Sequence, residues 1–284
     1  MNEESQSIER EAQLRQIKER VDEVRERVEA AARRSGRTGG DVLLVGVSKY
    51  ATPDDGVVEG LLKAGVCDLA ENRPQRLLEK VEVWGKSEYW RQPASQTFVS
   101  PSDKAVSIDA GTLRWHFIGS LQRNKVRRVL PHIALLHSVD SWKLLEAINR
   151  ILEEEETASA QAANGSLTPA FPHTLSALLE AHISDDETKQ GFSLEEIVDV
   201  VPKLAQFPHI KPCGLMGMGG LTASPDEVRR QFASLRETLE RCRKLCPELT
   251  DFKELSMGMS GDFETAIEEG ATIVRVGSIL YPQK

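Results

Sequence analysis

The run DVLLVGVSKY, residues 41–50, has five apolar residues among its first seven and then delivers Lys49. Burial beside apolar walls disfavours the charged form of a lysine. A neutral amine can attack an aldehyde and form an imine. The alternative is an ion pair with a carboxylate such as Glu71. Near the other end, LSMGMSGDF places Ser256, Gly258, Ser260 and Gly261 just ahead of a helical stretch, and RVGS supplies Arg275, Gly277 and Ser278. Small residues leave backbone N–H groups accessible, and a helix N-terminus favours an anion, so both stretches can hold a phosphate. Ordinary turn and cap residues are the alternative, with Ser260 or Asp262 capping the helix. Arg275 is either a permanent hydrogen-bond donor in the site or the buried partner of a carboxylate such as Glu254.

Eight strand-like runs must position these residues: VLLVGVSK, VCDLAEN, WHFIGS, IALLHSVD, LSALLEAHIS, PCGLMGMGG, ELSMGMS and TIVRVGS. Helical periodicity fills 56–64, 73–83, 142–152, 193–204, 226–246 and 262–269, while the stretch between the third and fourth runs is short. Alternation of this kind predicts a parallel sheet, and eight strands predict closure into a (β/α)8 barrel within a single domain spanning 1–284. Ile17, Val21, Val24, Val28 and Ala31 recur at steps of four and three, which predicts a helix over 8–34 that Ser35 and Gly36 end. The eighth run is followed only by ILYPQK, so this first helix is expected to complete the outer ring. Segments 85–113 and 153–172 are polar or rich in Ala, Ser, Gly and Pro, and read as mobile surface insertions.

Barrels carry their sites at the C-terminal ends of the strands. There the sequence brings Lys49, Glu71 and Asn72, His116 with Gly119 and Ser120, Met216, Ser256 with Ser260, and finally Arg275, Gly277 and Ser278. An aldehyde-reactive lysine facing a phosphate cradle points to pyridoxal 5′-phosphate (PLP). Arg275 at the pyridine nitrogen would only donate, keeping that nitrogen unprotonated and weakening the ring as an electron sink.

The 284 residues carry a net charge of −8, which argues against nucleic acid or an anionic membrane as the main partner. No apolar run approaches the ~20 residues a membrane span needs. The N-terminus MNEESQSIEREAQ lacks the apolar stretch of a signal peptide. Among the four cysteines only Cys242 and Cys246 are close, on a helical pattern without a nearby histidine. That suits structural thiols in a reducing cytoplasm and no metal site.

The stretches LLVGVSKYATPD, LAENRPQRLLEK, WHFIGSLQRNKVR, LHSVDSWKLLEAINR, AHISDDETKQGF, GLMGMGGL and LSMGMSGDFETAIEEGATIVRVGS resemble those of the pyridoxal phosphate homeostasis proteins. These are small relatives of the alanine racemase barrel. The resemblance runs from the first strand to the last. It implies a PLP barrel of fold type III in which Lys49 forms the Schiff base and Arg275 faces the pyridine nitrogen. Ser256, Gly277 and Ser278 take phosphate positions, Met257 offers its backbone N–H, and Asn72 and Met216 line the pocket. Ala70, Arg73, Ser120 and the run after GLM depart from the usual pattern at the pocket rim.

The racemases add a β-domain with a catalytic tyrosine and a dimer interface. Here the chain ends after the eighth strand, and the expectation is a monomer with no second acid/base. The resemblance implies a carrier and regulator of cofactor supply, affecting amino-acid and keto-acid balance, with PLP-dependent apo-enzymes as candidate recipients and no established reaction. The competing readings are a slow PLP-dependent amino-acid racemase and a PLP-free barrel that binds a phosphorylated metabolite.

Overall fold

In the computed structural model the first strand, β1 (Leu43–Val47), pairs in parallel with β2 (Asp68–Glu71) on one side and β8 (Ile273–Val276) on the other. Between them run β3 (Arg114–Phe117), β4 (Leu135–Val139), β5 (Leu175–Ala181), β6 (Ile210–Gly217) and β7 (Glu254–Ser256). All eight strands pair in chain order and close into a barrel, as the alternation predicts. The structure describes residues 3–90, 98, 100–101, 111–161, 171–184, 190–220 and 222–282.

Two layers of packing hold the barrel. Outward residues such as Leu69, Trp115, Phe117, Leu179 and Leu215 meet the helices. Inward residues Val45, Val47, Ala70, Leu135, Leu178, Met216 and Ile273 fill the interior. The helical ring comprises α1 (Glu3–Arg34), α2 (Val57–Lys63), α3 (Pro74–Trp84), α4 (Val126–Val129), α5 (Trp142–Gln161), α6 (Leu194–Val200), α7 (Pro225–Leu245) and α8 (Phe263–Glu268). Helix α1 packs against both α2 and α8 and occupies the ring position after β8. Its stripe Ile17, Val21, Val24, Val28 and Ala31 is buried at 4% exposure or less, so it is a core face of the same chain. Each fully buried Ile or Val there contributes about 1.5–3 kcal/mol.

The two inserted segments differ from expectation. Residues 153–161 continue α5, because the Glu and Ala of this run favour helix; the rest of that segment, to 170, lies outside the described residues. In segment 85–113, Phe98 sits inside the barrel, edge-on to His116 at 6.2 Å between ring centroids, and Ser100 donates to Glu254. An apolar side chain within a polar stretch is thus drawn into the barrel core. Cys67, Cys213, Cys242 and Cys246 are free thiols. No helix of the described residues is long and apolar enough to cross a membrane, and no acidic, His or Cys group among them could hold a metal.

Candidate functional site

Alternation along β1 turns Val45 and Val47 into the barrel, and the next inward position is Lys49, on the turn that leaves the strand. Two buried side chains pin that turn. Tyr281 donates its hydroxyl to the Val47 carbonyl at 2.7 Å, and the Lys80 amine reaches the Ser48 carbonyl at 2.7 Å. Lys49 is exposed at the rim rather than enclosed by apolar walls, with Nζ 5.0 Å from the centroid of the Tyr50 ring. It borders a cavity of about 550 Å³ at the barrel mouth, together with Asn72, Gly119, Ser120, Arg275, Gly277 and Ser278.

The ion pair weighed for Lys49 does not form. Glu71 is fully buried and salt-bridged to Lys80, which is also fully buried, and Ser48 Oγ donates to Glu71 Oε1 at 2.9 Å. Burial lowers the Lys80 pKa and the Glu71 charge opposes that shift. Asn72, two residues beyond Ala70 on the inward parity, borders the cavity beside Gly119. A Cβ at Gly119 would fall 2.1 Å from the Asn72 carbonyl, so only glycine lets the ends of β2 and β3 approach this closely.

The small-residue turn that could hold a phosphate lies one layer higher than the sequence suggests. Strand β7 stops at Ser256, and the chain turns through Gly258, at φ +94°, before Ser260 and Gly261 reach the cavity. Ser256, Met257 and Met216 are buried at 1% exposure or less and do not line the cavity. Met257 points its side chain to the outer core and gives its N–H to the Ile273 carbonyl, so that N–H is spent in the sheet. Met216 lies two residues below Met218, which holds the cavity position on that strand. Ser260, not Ser256, borders the cavity. Its Oγ accepts the Gly277 N–H at 3.2 Å, and the N–H groups of Ser260, Gly261 and Ser278 have no partner among the described residues. Nothing stands within 4 Å of a Cβ built on Gly261. Accessible N–H donors with open space before them suit a phosphate.

Arg275 is buried and borders the cavity. It does not pair with Glu254, which accepts from Thr272 and Ser100. It donates instead to Ser256 Oγ at 2.6 Å and to the Gly217 carbonyl at 3.1 Å. Burial pulls the guanidinium down to about 10, against the charges of Asp262 and Glu180.

Below Ser256 a chain of buried polar groups crosses the barrel interior. Ser256 Oγ lies 2.8 Å from His137 Nδ1, His137 Nε2 lies 2.9 Å from His116 Nδ1, and His116 Nε2 lies 3.0 Å from Asp68. Arg114 closes it with two bonds to the Asp68 carboxylate. Burial alone would raise Asp68, but the bonds from His116 and Arg114 outweigh it and hold the carboxyl at about 2. An arginine can only donate and a carboxylate only accept. When both imidazoles are neutral the carboxylate end sets the direction: His116 Nε2–H donates to Asp68, His137 Nε2–H donates to His116 Nδ1, and Ser256 donates to His137 Nδ1. Burial above all, with the positive charge of Arg275, keeps His137 well below its ordinary pKa. His116 therefore lies in this interior layer, not at the mouth where the sequence placed it.

Glu180 and Gln190 border the cavity and were not anticipated. Glu180 shares the inward parity of Ser176 and Leu178 on β5, and a carboxylate in an otherwise apolar run was the signal available. Burial and Asp140 push its carboxyl up to about 7, against Arg275.

Residues 13–283 match the family of the alanine racemase N-terminal domain. The chain is 31% identical over 268 residues to a pyridoxal phosphate homeostasis protein of Aquifex aeolicus, covering 94% of this chain and 97% of that one. Its fold is similar to a solved protein of Bifidobacterium adolescentis of unknown function (TM-score 0.77, 31% identity, 95% and 96% of the two chains). It is also similar to PipY of Synechococcus elongatus solved with PLP bound (TM-score 0.69, 26% identity, 93% and 99% of the two chains).

Proposed function

Since this chain belongs to the alanine racemase N-terminal domain family, among the pyridoxal phosphate homeostasis proteins, we propose that it binds PLP at the barrel mouth and acts in the homeostasis of that cofactor. The observation that carries this reading is one cavity bordered by a lysine amine, an inward arginine and a set of backbone donors without partners. When bound, the cofactor supplies an aldehyde for an amine to attack and a heteroaromatic ring that can hold negative charge.

Lys49 provides the amine, held in place through the carbonyls before it by Tyr281 and Lys80. The N–H groups of Ser260, Gly261 and Ser278, with the Ser260 hydroxyl, would hold the phosphate. Arg275 would meet the ring nitrogen as a donor and could not take its proton. Asn72 and Ser120 border the rim. In the cell the protein holds and releases PLP, with PLP-dependent apo-enzymes as recipients and amino-acid and keto-acid balance as the outcome. The acidic chain works in the cytoplasm as a monomer, away from nucleic acid and membranes. Because Glu71 is paired with Lys80, Lys49 has no ion-pair partner among the described residues, which weakens the reading as a cofactor-free barrel.

Addition of PLP to the purified protein tests this reading. A visible absorption band should appear and should be lost in Lys49→Ala, while weaker, phosphate-dependent binding persists. Failure of the wild-type chain to bind PLP contradicts the proposal. Incubation with amino acids in deuterated water separates a carrier from a racemase, because only an enzyme exchanges the α-proton catalytically.

A further inference from the structure

Glu180 is the one acidic side chain bordering the cavity among the described residues. It is 6% exposed, and its carboxyl has no hydrogen-bond partner among them. An unpaired carboxylate in such a place is costly, and the group keeps its proton instead. The surrounding ionisable groups do not supply a bond. Arg275, from β8, acts on Glu180 only through its field, because its hydrogen bonds go to Ser256 and Gly217. Asp140, just after β4, opposes ionisation. His137 on β4 lies in the layer beneath and spends both ring nitrogens there. Asp262, in the turn before α8, takes the Met259 N–H. Lys49 stands at the rim over Tyr50. Strand β6 presents Met216, and Met218 just past its end, which do not ionise, and His182 follows on the end of β5 itself.

The hydrogen-bonding capacity of Glu180 is therefore free for a ligand in the cavity it borders. We propose that Glu180 is a ligand-binding residue of this cavity that holds the bound cofactor as the neutral acid, so that binding takes up a proton. This rests on the reading of the cavity as a PLP site. A ligand phosphate brings a charge of about −1.5 to −2 into the cavity. That charge adds to Asp140 in disfavouring the carboxylate. The protonated acid is also a second donor beside Arg275, and unlike Arg275 it can be withdrawn by deprotonation. Raising the pH through neutrality then loosens the cofactor, which gives a carrier a means of release.

The test compares PLP affinity of the wild-type chain and Glu180→Gln by equilibrium dialysis at pH 6, 7, 8 and 9. Glutamine preserves size and a donor but cannot ionise. Every other ionisable group is common to the two proteins, so its pH dependence cancels in the ratio. The wild-type Kd should rise relative to the variant's by up to about tenfold per pH unit above pH 7, the limit for uptake of one proton. Calorimetry at pH 8 in buffers of different ionisation enthalpy should show more proton uptake on binding to the wild type. A ratio that stays flat with pH overturns the proposal alone. Absence of PLP binding by both proteins at every pH overturns it together with the reading beneath it.

Discussion

Ser256 Oγ stands 2.6 Å from Arg275 and 2.8 Å from His137 Nδ1, joining the cavity to the polar interior of the barrel. The serine accepts a hydrogen bond from the guanidinium and donates its own to the neutral imidazole. It holds Arg275 in place, while Ser260 borders the cavity where the proposed phosphate would sit.

The two serines should separate on mutation. Ser256→Ala leaves buried donors and acceptors unpaired at Arg275 and His137, and should cost about 1–3 kcal/mol in urea unfolding. Ser260→Ala should leave stability nearly unchanged and weaken PLP binding. Nitrogen NMR should show His137 protonated at Nε2 and bare at Nδ1; the opposite tautomer would contradict the chain of donors.

Glu180 should make stability depend on pH. Its carboxyl is raised from 4.5 to about 7, so the folded state holds a proton that the unfolded state has released between those values. Its contribution is fully present below about pH 4.5 and is lost as pH rises through about 7. Glu180→Gln should therefore gain on the wild type by about 2–3 kcal/mol between pH 5 and pH 8 in the absence of PLP. Parallel stability curves would show that the carboxyl is not held protonated.

The Lys80–Glu71 pair should be costly to break from one side. Lys80→Met strands a buried carboxylate and frees the Ser48 carbonyl, at about 3–5 kcal/mol, whereas Lys80→Met combined with Glu71→Leu should recover much of that loss. A double variant as unstable as the single would contradict mutual pairing. Because Lys80 holds the peptide before Lys49, the double variant should still bind PLP less tightly.

Arg275 should tune the bound ring. In Arg275→Glu a carboxylate that can share a proton replaces a permanent donor, and the absorption maximum of the PLP-loaded protein should shift. An unchanged spectrum would place Arg275 away from the ring.

Much of this was legible because alternation is local. Leu43, Val45 and Val47 share one parity, and Lys49 follows at the same spacing, so the amine's place at the mouth could be read from ten residues. The α1 stripe was legible for the same reason. The height of a residue inside the barrel was not, since it depends on strand tilt and stagger. Strand β7 has three residues, and its early exit carries Ser260 to the cavity and leaves Ser256 beneath. The meeting of His116 with His137 needs the register of β3 on β4, and that of Glu71 with Lys80 needs the approach of α3. Phe98 entered the core from a segment whose polarity concealed it.

Borohydride reduction of the PLP-loaded protein, followed by peptide mass mapping, tests the central claim most directly. The account predicts a pyridoxyl mass on the peptide bearing Lys49 and no label in Lys49→Ala. Label on Lys63 or Lys125 in the wild-type chain, or none at all, would contradict it.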